Sequence, residues 1–269
     1  MAKPLVPIIV KLGGSVVTYK DTLFKPNISV IDRLVKEILK ANIESLIVVH
    51  GAGSYGHPVA MEYKINDGYK SPDQLIGFSK TRQAMMALNK IIIDAFIEQK
   101  LPAVSVQPSA FIVTDKGRIE GFDTTIIRKL LNLKMIPILY GDAVVDKTAG
   151  FSILSGDQII NKLAVTLRAE KIIFGIDIDG LFTDDPKRNP DAKFVEKITF
   201  EELQALFDKI GIADTIDVTG GMYGKISELI YILEKWDKAV IKIINAKQKN
   251  RLFNALIDET IICTEIRRR

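Results

Sequence analysis

The sequence is poor in the residues that mark disulfide-bonded or membrane-inserted proteins. Its 269 residues include one cysteine, one tryptophan and two histidines. The single cysteine, Cys263, excludes an internal disulfide and fits a reducing compartment. The chain has no apolar run of membrane-spanning length and no signal-peptide core near Met1, so we expect a soluble, cytoplasmic protein without a membrane partner.

Charge of one sign is also scarce. The 37 basic and 33 acidic residues are dispersed along the chain and leave a net charge of +4, which does not favour a nucleic-acid partner. A hydrophobic content of 47% is instead ample for a large core. The length suits one large α/β domain or two small ones.

Short runs of β-branched residues alternate with longer amphipathic stretches. We predict strands at residues 6–12, 45–50, 101–106, 135–140, 171–176, 240–245 and 260–264. We predict helices capped by Ser29, at 72–100, at 124–133, after 155, after 199 and around 225, with hairpins at 111–119 and 143–154. This order is typical of a doubly wound α/β fold, and any division falls near residue 155.

A glycine-rich turn follows the second predicted strand. Residues 49–57 read V-H-G-A-G-S-Y-G-H and hold both histidines of the chain. Backbone N–H groups in such a turn can converge on an anion, although a plain tight turn has the same composition. His50 fits either a structural residue at the strand end or a ligand contact. His57, beyond the turn, is the better candidate for touching a ligand.

Three charged residues in or beside predicted turns allow two interpretations each. Lys11 interrupts the first strand. Its ammonium either extends to solvent at the end of its buried aliphatic stem or binds an anion. Lys225 opens a helix, a position that opposes the helix dipole unless a phosphate is bound there. Asp157, in the first turn of another helix, is either a cap or a functional acid.

An open α/β sheet would gather these features along the carboxyl ends of its strands. That edge would carry Lys11, Lys20, His57 and Lys225 together. Phosphoryl transfer requires such a cationic row. The chain lacks the G-x-x-x-x-G-K-[ST] loop and the H-R-D and D-F-G motifs, so we exclude a P-loop enzyme and a protein kinase.

Six motifs follow one another along the chain. They are K-L-G-G-S at 11–15, H-G-A-G-S-Y-G-H at 50–57, Y-G-D at 140–142, S-G-D-Q at 155–158, D-I-D-G at 177–180 and D-V-T-G-G-M-Y-G-K at 217–225. Together they resemble the amino-acid kinase superfamily, and most closely its isopentenyl phosphate kinases, whose mark is the histidine that closes the second motif, here His57. The resemblance implies a three-layer αβα sandwich around a central, mostly parallel sheet.

The resemblance also implies an activity. The enzyme would transfer the γ-phosphoryl group of ATP to isopentenyl phosphate and so make isopentenyl diphosphate in an alternative mevalonate pathway. Mg²⁺ would accompany ATP, held largely by phosphates and water, with no dedicated metal site on the protein. Residues 1–155 would bind the acceptor phosphate and residues 156–269 would bind ATP. The family is usually homodimeric.

Roles of individual residues follow from motif position. The implied catalytic residues are Lys11, Lys20, His57 and Asp157. The implied nucleotide-binding residues are Lys11, Gly13, Gly14, Ser15, Gly53, Asp179, Gly221 and Lys225. The implied acceptor-binding residues are Ala52, Gly53, His57 and Gly156.

Chemistry supports a phosphate acceptor independently of the resemblance. A phosphate monoester is mostly dianionic near neutral pH and can attack without a general base. His57, held protonated beside that dianion, would donate to it. Apolar residues after His57 suit a short hydrocarbon tail. They are Val59, Ala60, Met61, Tyr63 and Ile65.

Other readings remain open. One alternative is a kinase of the same fold for fosfomycin, for UMP or for a small carboxylic acid. Another is a non-catalytic nucleotide-binding or storage protein, against which the retention of all three lysines argues.

Overall fold

The computed structural model of the chain describes residues 6–184, 189, 191–212 and 222–268. Strands within this part are β1 Ile8–Leu12, β2 Leu46–His50, β3 Ala103–Ser105, β4 Val113–Asp115, β5 Arg118–Gly121, β6 Ile136–Tyr140, β7 Asp142–Asp146, β8 Gly150–Leu154, β9 Lys171–Ile176, β10 Leu181–Phe182, β11 Phe194–Val195, β12 Lys197–Thr199, β13 Val240–Asn245 and β14 Thr264–Arg267. Helices are α1 Gly14–Val17, α2 Ile28–Ala41, α3 Gly53–Glu62, α4 Asp73–Glu98, α5 Thr125–Asn132, α6 Gly156–Leu167, α7 Phe200–Ile212, α8 Met222–Lys235 and α9 Arg251–Leu256.

The main sheet has eight strands in the order β12-β14-β13-β9-β1-β2-β6-β3. All neighbours run parallel except β13 and β14. Continuous apolar strands pair in this way because helices cover both faces of the sheet. The strands at its centre therefore end at one edge, as the sequence predicted.

Alternate side chains of the central strands enter two separate cores. Ile9 of β1 and Val49 of β2 pack in one core, whereas Val10 and Val48 pack in the other. Helices α5 to α8 cover the first face, and α1 to α4 with α9 cover the second. The predicted three-layer αβα sandwich with a mostly parallel sheet is confirmed. Lys11 follows the alternation of Ile9 and so faces α6 and α8.

A second sheet, in the order β5-β4-β7-β8, contains the two predicted hairpins. The Asp146 carboxylate joins them, since it accepts N–H groups of Gly117 at 2.7 Å and Ala149 at 2.8 Å and the Thr114 hydroxyl at 2.8 Å. These contacts lower the Asp146 pKa to about 2 despite burial.

Several local predictions needed correction. Helix α2 begins at Ile28 with Asn27 as its N-cap, and the Ser29 hydroxyl donates to Asn27 instead of capping the helix. The last strand, β14, begins at Thr264, where the predicted strand ended.

The predicted capping box of α7 is confirmed, because Glu202 accepts the Thr199 N–H at 2.8 Å and Thr199 accepts the Glu202 N–H at 3.2 Å. No helix of the described part is long and apolar enough to cross a bilayer.

Candidate active site

A cleft of about 910 Å³ opens at the carboxyl edge of the main sheet. It brings together most residues that the motifs singled out. The predicted residues that line it are Lys11, Gly13, Gly14, Ser15, Lys20, Ala52, Gly53, His57, Gly156, Asp157 and Lys225. They come from β1 and the turn after it, from the loop after α1, from the turn after β2 and from the N-terminal parts of α3, α6 and α8.

Two glycine turns interlock at the base of the cleft. A Cβ on Gly14 would collide with the backbone nitrogen of Gly53, and one on Gly51 would lie 2.6 Å from the nitrogen of Gly14. The Thr18 hydroxyl ties the same turns together, because it donates to Gly14 O at 2.8 Å and accepts the Ser54 N–H at 3.0 Å. Glycine is needed here for close backbone approach, which leaves the main chain as the surface that a ligand would meet.

Asp157 joins the two buried lysines of the cleft. The Lys11 ammonium donates to one carboxylate oxygen, and the Lys225 ammonium lies 3.3 Å from the other. Ser155 supplies the N-cap of α6 by accepting the Gln158 N–H, so the Asp157 carboxylate is free for the lysines. The N-cap of α6 is therefore Ser155 and not Asp157, whose functional role stays a prediction.

Burial and like charge govern the electrostatics of this group. The ammonium groups of Lys11 and Lys225 lie 5.8 and 5.7 Å from the centre of the Phe174 ring. Burial, and then the positive charge of Lys225, lower the Lys11 pKa to about 7, although Asp157 opposes the shift. The two lysines lower the Asp157 pKa to about 2. The group has one anion for two cations, which suits an arriving polyphosphate.

Lys20 is held separately, on the exposed side of the cleft. Its ammonium lies 2.9 Å from the Asp177 carboxylate, which also accepts the Ser15 hydroxyl at 2.9 Å. These contacts lower the Asp177 pKa although burial opposes the change. Asp177 therefore links the turn after β1 to the end of β9. Asp177 belongs to the D-I-D-G motif, but nothing in the sequence around it indicates these two partners.

His57 lies inside helix α3, which the sequence did not predict. Pro58 follows it and has no N–H to donate to Ser54 O, four residues earlier. That carbonyl accepts the Phe24 N–H at 3.3 Å instead, which fastens the segment carrying Lys20 to α3. Burial in the cleft, and then the positive charge of Lys11, lower the His57 pKa below its ordinary value. A protonated His57, as expected with the acceptor present, therefore requires the acceptor's negative charge.

His50, the other histidine, is structural. It is fully buried and stacks on Tyr140 with ring centroids 5.3 Å apart. Its Nδ1 donates to Gly51 O at 3.1 Å, which leaves Nε2 to accept from Asn89 at 3.2 Å. Burial lowers its pKa to about 4, so it is neutral near pH 7.

Apolar side chains form the wall of the cleft beyond His57. They are Pro58, Ala60, Met61, Met85, Ile153 and Leu154. Met85 belongs to α4, in which Met85, Leu88 and Ile92 are buried and Leu75 is exposed. The cleft thus has a cationic part and an oily part.

One predicted nucleotide-binding residue of the described part, Asp179, is not among those lining the cleft, and the position of a second is not described. Asp179 directly follows Ile178, which lines the cleft, and its own carboxylate lies 3.9 Å from Arg251. Gly221 lies outside the described residues. Their assignment to ATP stays a prediction.

Comparison with known sequences identifies relatives along nearly the whole chain. The sequence profile of the amino acid kinase family matches residues 7–245. The isopentenyl phosphate kinase of Methanothermobacter thermautotrophicus is 42% identical over 270 residues, which are 96% of this chain and 98% of the relative. That of Thermoplasma acidophilum is 34% identical over 97% of this chain and 100% of the relative. The uridylate kinase of Pyrococcus abyssi is 29% identical over 75% and 76% of the two chains.

Solved structures give the same ordering. An isopentenyl phosphate kinase with 38% identity superposes with a TM-score of 0.85 and covers 97% of this chain and 99% of its own. A substrate complex of isopentenyl phosphate kinase, 31% identical, has a TM-score of 0.79 over 98% and 100% of the two chains. The UMP kinase of Ureaplasma parvum, 17% identical with a TM-score of 0.64, shares the fold.

Proposed function

Since the chain belongs to the amino acid kinase family, and within it to the isopentenyl phosphate kinases, we propose that it transfers the γ-phosphoryl group of ATP to isopentenyl phosphate. The product would be isopentenyl diphosphate, an intermediate of an alternative mevalonate pathway. One observation carries the proposal: the cleft has a cationic part around Asp157 and an oily part beyond His57. A small phosphate ester with an apolar tail complements both parts.

The proposed reaction needs no general base. An oxygen of the acceptor's dianionic phosphate forms a bond to Pγ, and the bond from Pγ to the bridging oxygen of ADP breaks. Negative charge moves onto that bridging oxygen as ADP leaves. Lys11, Lys225 and Lys20 would neutralise charge on the transferred group and on ADP, while Asp157 keeps the first two in place.

His57 would bind the acceptor phosphate from the opposite side of the cleft. Its imidazole can donate a hydrogen bond whether it is neutral or protonated, and the dianion would raise its pKa again. The backbone of Ala52, Gly53 and Gly156 would complete this part of the site. The division implied by the resemblance, in which residues 1–155 bind the acceptor and residues 156–269 bind ATP, stays a prediction, since Lys11 and Lys20 would also contact ATP.

The cleft suits ATP because, among the residues that the structure describes, its three lysines pair with two carboxylates, those of Asp157 and Asp177. Mg²⁺ bound with ATP would supply further positive charge to the phosphates, in addition to that of Lys11, Lys20 and Lys225. Among the described residues, no group of three or more His, Cys, Asp and Glu side chains is placed to hold an ion. The homodimer and the cytoplasmic location expected from the sequence also stay proposals, and light scattering tests the first.

An acceptor panel tests the proposed function. The purified protein is incubated with ATP and Mg²⁺ and each of isopentenyl phosphate, dimethylallyl phosphate, fosfomycin, UMP and glutamate, and ADP release is measured. We expect the highest kcat/KM with isopentenyl phosphate and ADP release that depends on the acceptor. Preference for UMP or fosfomycin would overturn the acceptor assignment. Absence of ADP release with every acceptor would favour a non-catalytic protein.

A further inference from the structure

Helices α6 and α8 share a second polar contact, one turn deeper than the contact at the cleft. The Asn161 amide donates to Glu228 Oε2 at 2.6 Å. Asn161 follows Asp157 by four residues on α6, and Glu228 follows Lys225 by three on α8. Residues at these spacings share a helix face. The two helices are therefore joined at two successive levels.

Glu228 is buried, with 6% of its surface exposed, and so needs a counter-charge. Arg118 of β5 provides it through Nη1 to Oε1 and through Nη2 to Oε2 at 3.2 Å. This contact raises the Arg118 pKa. A fork of this kind fixes direction as well as distance.

The β4–β5 hairpin that carries Arg118 is itself fastened to α6. Gln158 Nε2 donates to Gly117 O at 3.0 Å, at the tip of the hairpin. Gln158 directly follows Asp157. The hairpin, α6 and α8 therefore hold one another through Gln158, Asn161 and Glu228.

We propose that Glu228 is a positioning residue, which fixes α8 against α6 through Asn161 and Arg118 and so holds the Lys225 ammonium on Asp157, beside the ATP phosphates. The inference rests on the proposed function, because it takes Lys225 to bind ATP. Its physical reason is repulsion. Lys11 of β1 repels the Lys225 ammonium, which Asp157 of α6 attracts at 3.3 Å, so contacts deeper along α8 decide how far this ammonium can move from Asp157.

The test uses Glu228→Gln, which keeps the shape but loses the charge, and Asn161→Ala, which removes one hydrogen bond and keeps the Arg118 pair. Glu37→Gln is the matched control. Glu37 is equally buried at 5% exposure, pairs with Arg33 at 2.5 Å, and lies on α2 in the other helical layer. Its substitution should destabilise the fold to a similar degree without touching the cleft.

Isothermal titration calorimetry with ATP gives the first readout. We expect the Kd for ATP to rise about 10-fold in Glu228→Gln and less in Asn161→Ala, because small displacements of a charged group weaken its contacts strongly. Glu37→Gln should keep the wild-type Kd. Since this measurement needs no acceptor, it stays valid even if the wild-type enzyme rejects isopentenyl phosphate.

The pH profile of kcat/KM for ATP gives the second readout. Lys225 contributes to the lowering of the Lys11 pKa, so a displaced Lys225 lets that pKa rise. The alkaline limb of the profile should move to higher pH in Glu228→Gln and stay in place in Glu37→Gln. If Glu228 only stabilised the fold, its substitution would lower the fraction of active enzyme and leave the alkaline limb of the pH profile in place. If folded Glu228→Gln keeps the wild-type Kd for ATP and the wild-type alkaline limb of the pH profile, the proposal is overturned. If Glu228→Gln does not fold, the same two results in Asn161→Ala overturn it.

Discussion

The Lys20 ammonium lies 2.9 Å from the Asp177 carboxylate, so the most exposed lysine of the cleft is held by an acid that directly follows β9. Asp177→Asn removes the charge that holds Lys20 and keeps the size of the side chain. We expect kcat to fall about 10- to 100-fold because the lysine no longer stands where the phosphoryl group is transferred. Steady-state kinetics measures this effect.

Asp94→Asn is the control for that substitution. Asp94 pairs with Lys90 at 2.6 Å on the surface of α4, so the change has the same chemistry away from the cleft. It should leave kcat unchanged. Equal kcat values for the Asp177 and Asp94 variants would mean that Asp177 does not position Lys20.

His57→Ala tests the acceptor side of the cleft. We expect kcat/KM for isopentenyl phosphate to fall about 100- to 1,000-fold, the usual effect of removing a donor that faces a reacting anion. The Kd for ATP should stay close to that of the wild type because the ATP phosphates contact the lysines. A variant with wild-type kcat/KM for the acceptor would show that His57 does not bind it.

Lys11 should take up a proton when ATP binds. Its pKa is lowered to about 7 in the free cleft, and the ATP phosphates restore the charged form. At about pH 8 we expect an uptake of nearly one proton, measured by calorimetry in buffers of different ionisation enthalpy. Lys11→Arg should remove the uptake, because arginine stays charged. Equal uptake by both proteins would assign the proton to another group.

Asp146 should make stability depend on pH in the acid range. Its pKa is lowered from 3.8 to about 2 in the folded protein, so its stabilisation is complete above the unfolded value and is lost as pH falls towards 2. Asp146→Asn should lower the free energy of unfolding near neutral pH by about 1–3 kcal/mol, since buried donors lose their acceptor. Urea unfolding from neutral pH down to about pH 3 should show a weaker pH dependence in the variant. An unchanged dependence would contradict the assignment.

Gly14→Ala tests whether the glycine turns must interlock. The added methyl group would collide with the backbone of Gly53, which cannot move without opening the base of the cleft. We expect kcat/KM for ATP to fall at least about 10-fold. Gly121→Ala is the control because a Cβ there meets nothing within 4 Å. Full activity of Gly14→Ala would show that the turns tolerate separation.

The sequence predicted the main sheet and the cationic edge well, for a physical reason. Buried parallel strands are continuous apolar runs, and Lys11 stands out because it interrupts one. The glycines at 13–14 and 51–56 follow two parallel strands, and parallel strands end at the same edge of a sheet. Helix α3 was missed because Pro58 and two glycines within it disfavour a helix locally, whereas packing of Tyr55 and Val59 in the core stabilises it.

Residues that act by pairing across the chain could not be found in the same way. Asp177 binds Ser15 and Lys20, and Glu228 binds Arg118 and Asn161, all from distant segments. A single acidic residue in a sequence carries no sign of such a partner. The prediction of Ser29 as a cap was wrong for a local reason. Asn27, two residues earlier, is also a residue type favoured at helix starts, and it occupies the N-cap position of α2.

A structure of the protein with a non-hydrolysable ATP analogue and isopentenyl phosphate would test the arrangement of the two phosphates most directly. We expect the γ-phosphate analogue among Lys11, Lys20 and Lys225, the acceptor phosphate against His57, and the hydrocarbon tail beside Met85. An acceptor phosphate bound away from His57, or an ATP analogue that does not contact Lys11 and Lys225, would contradict it.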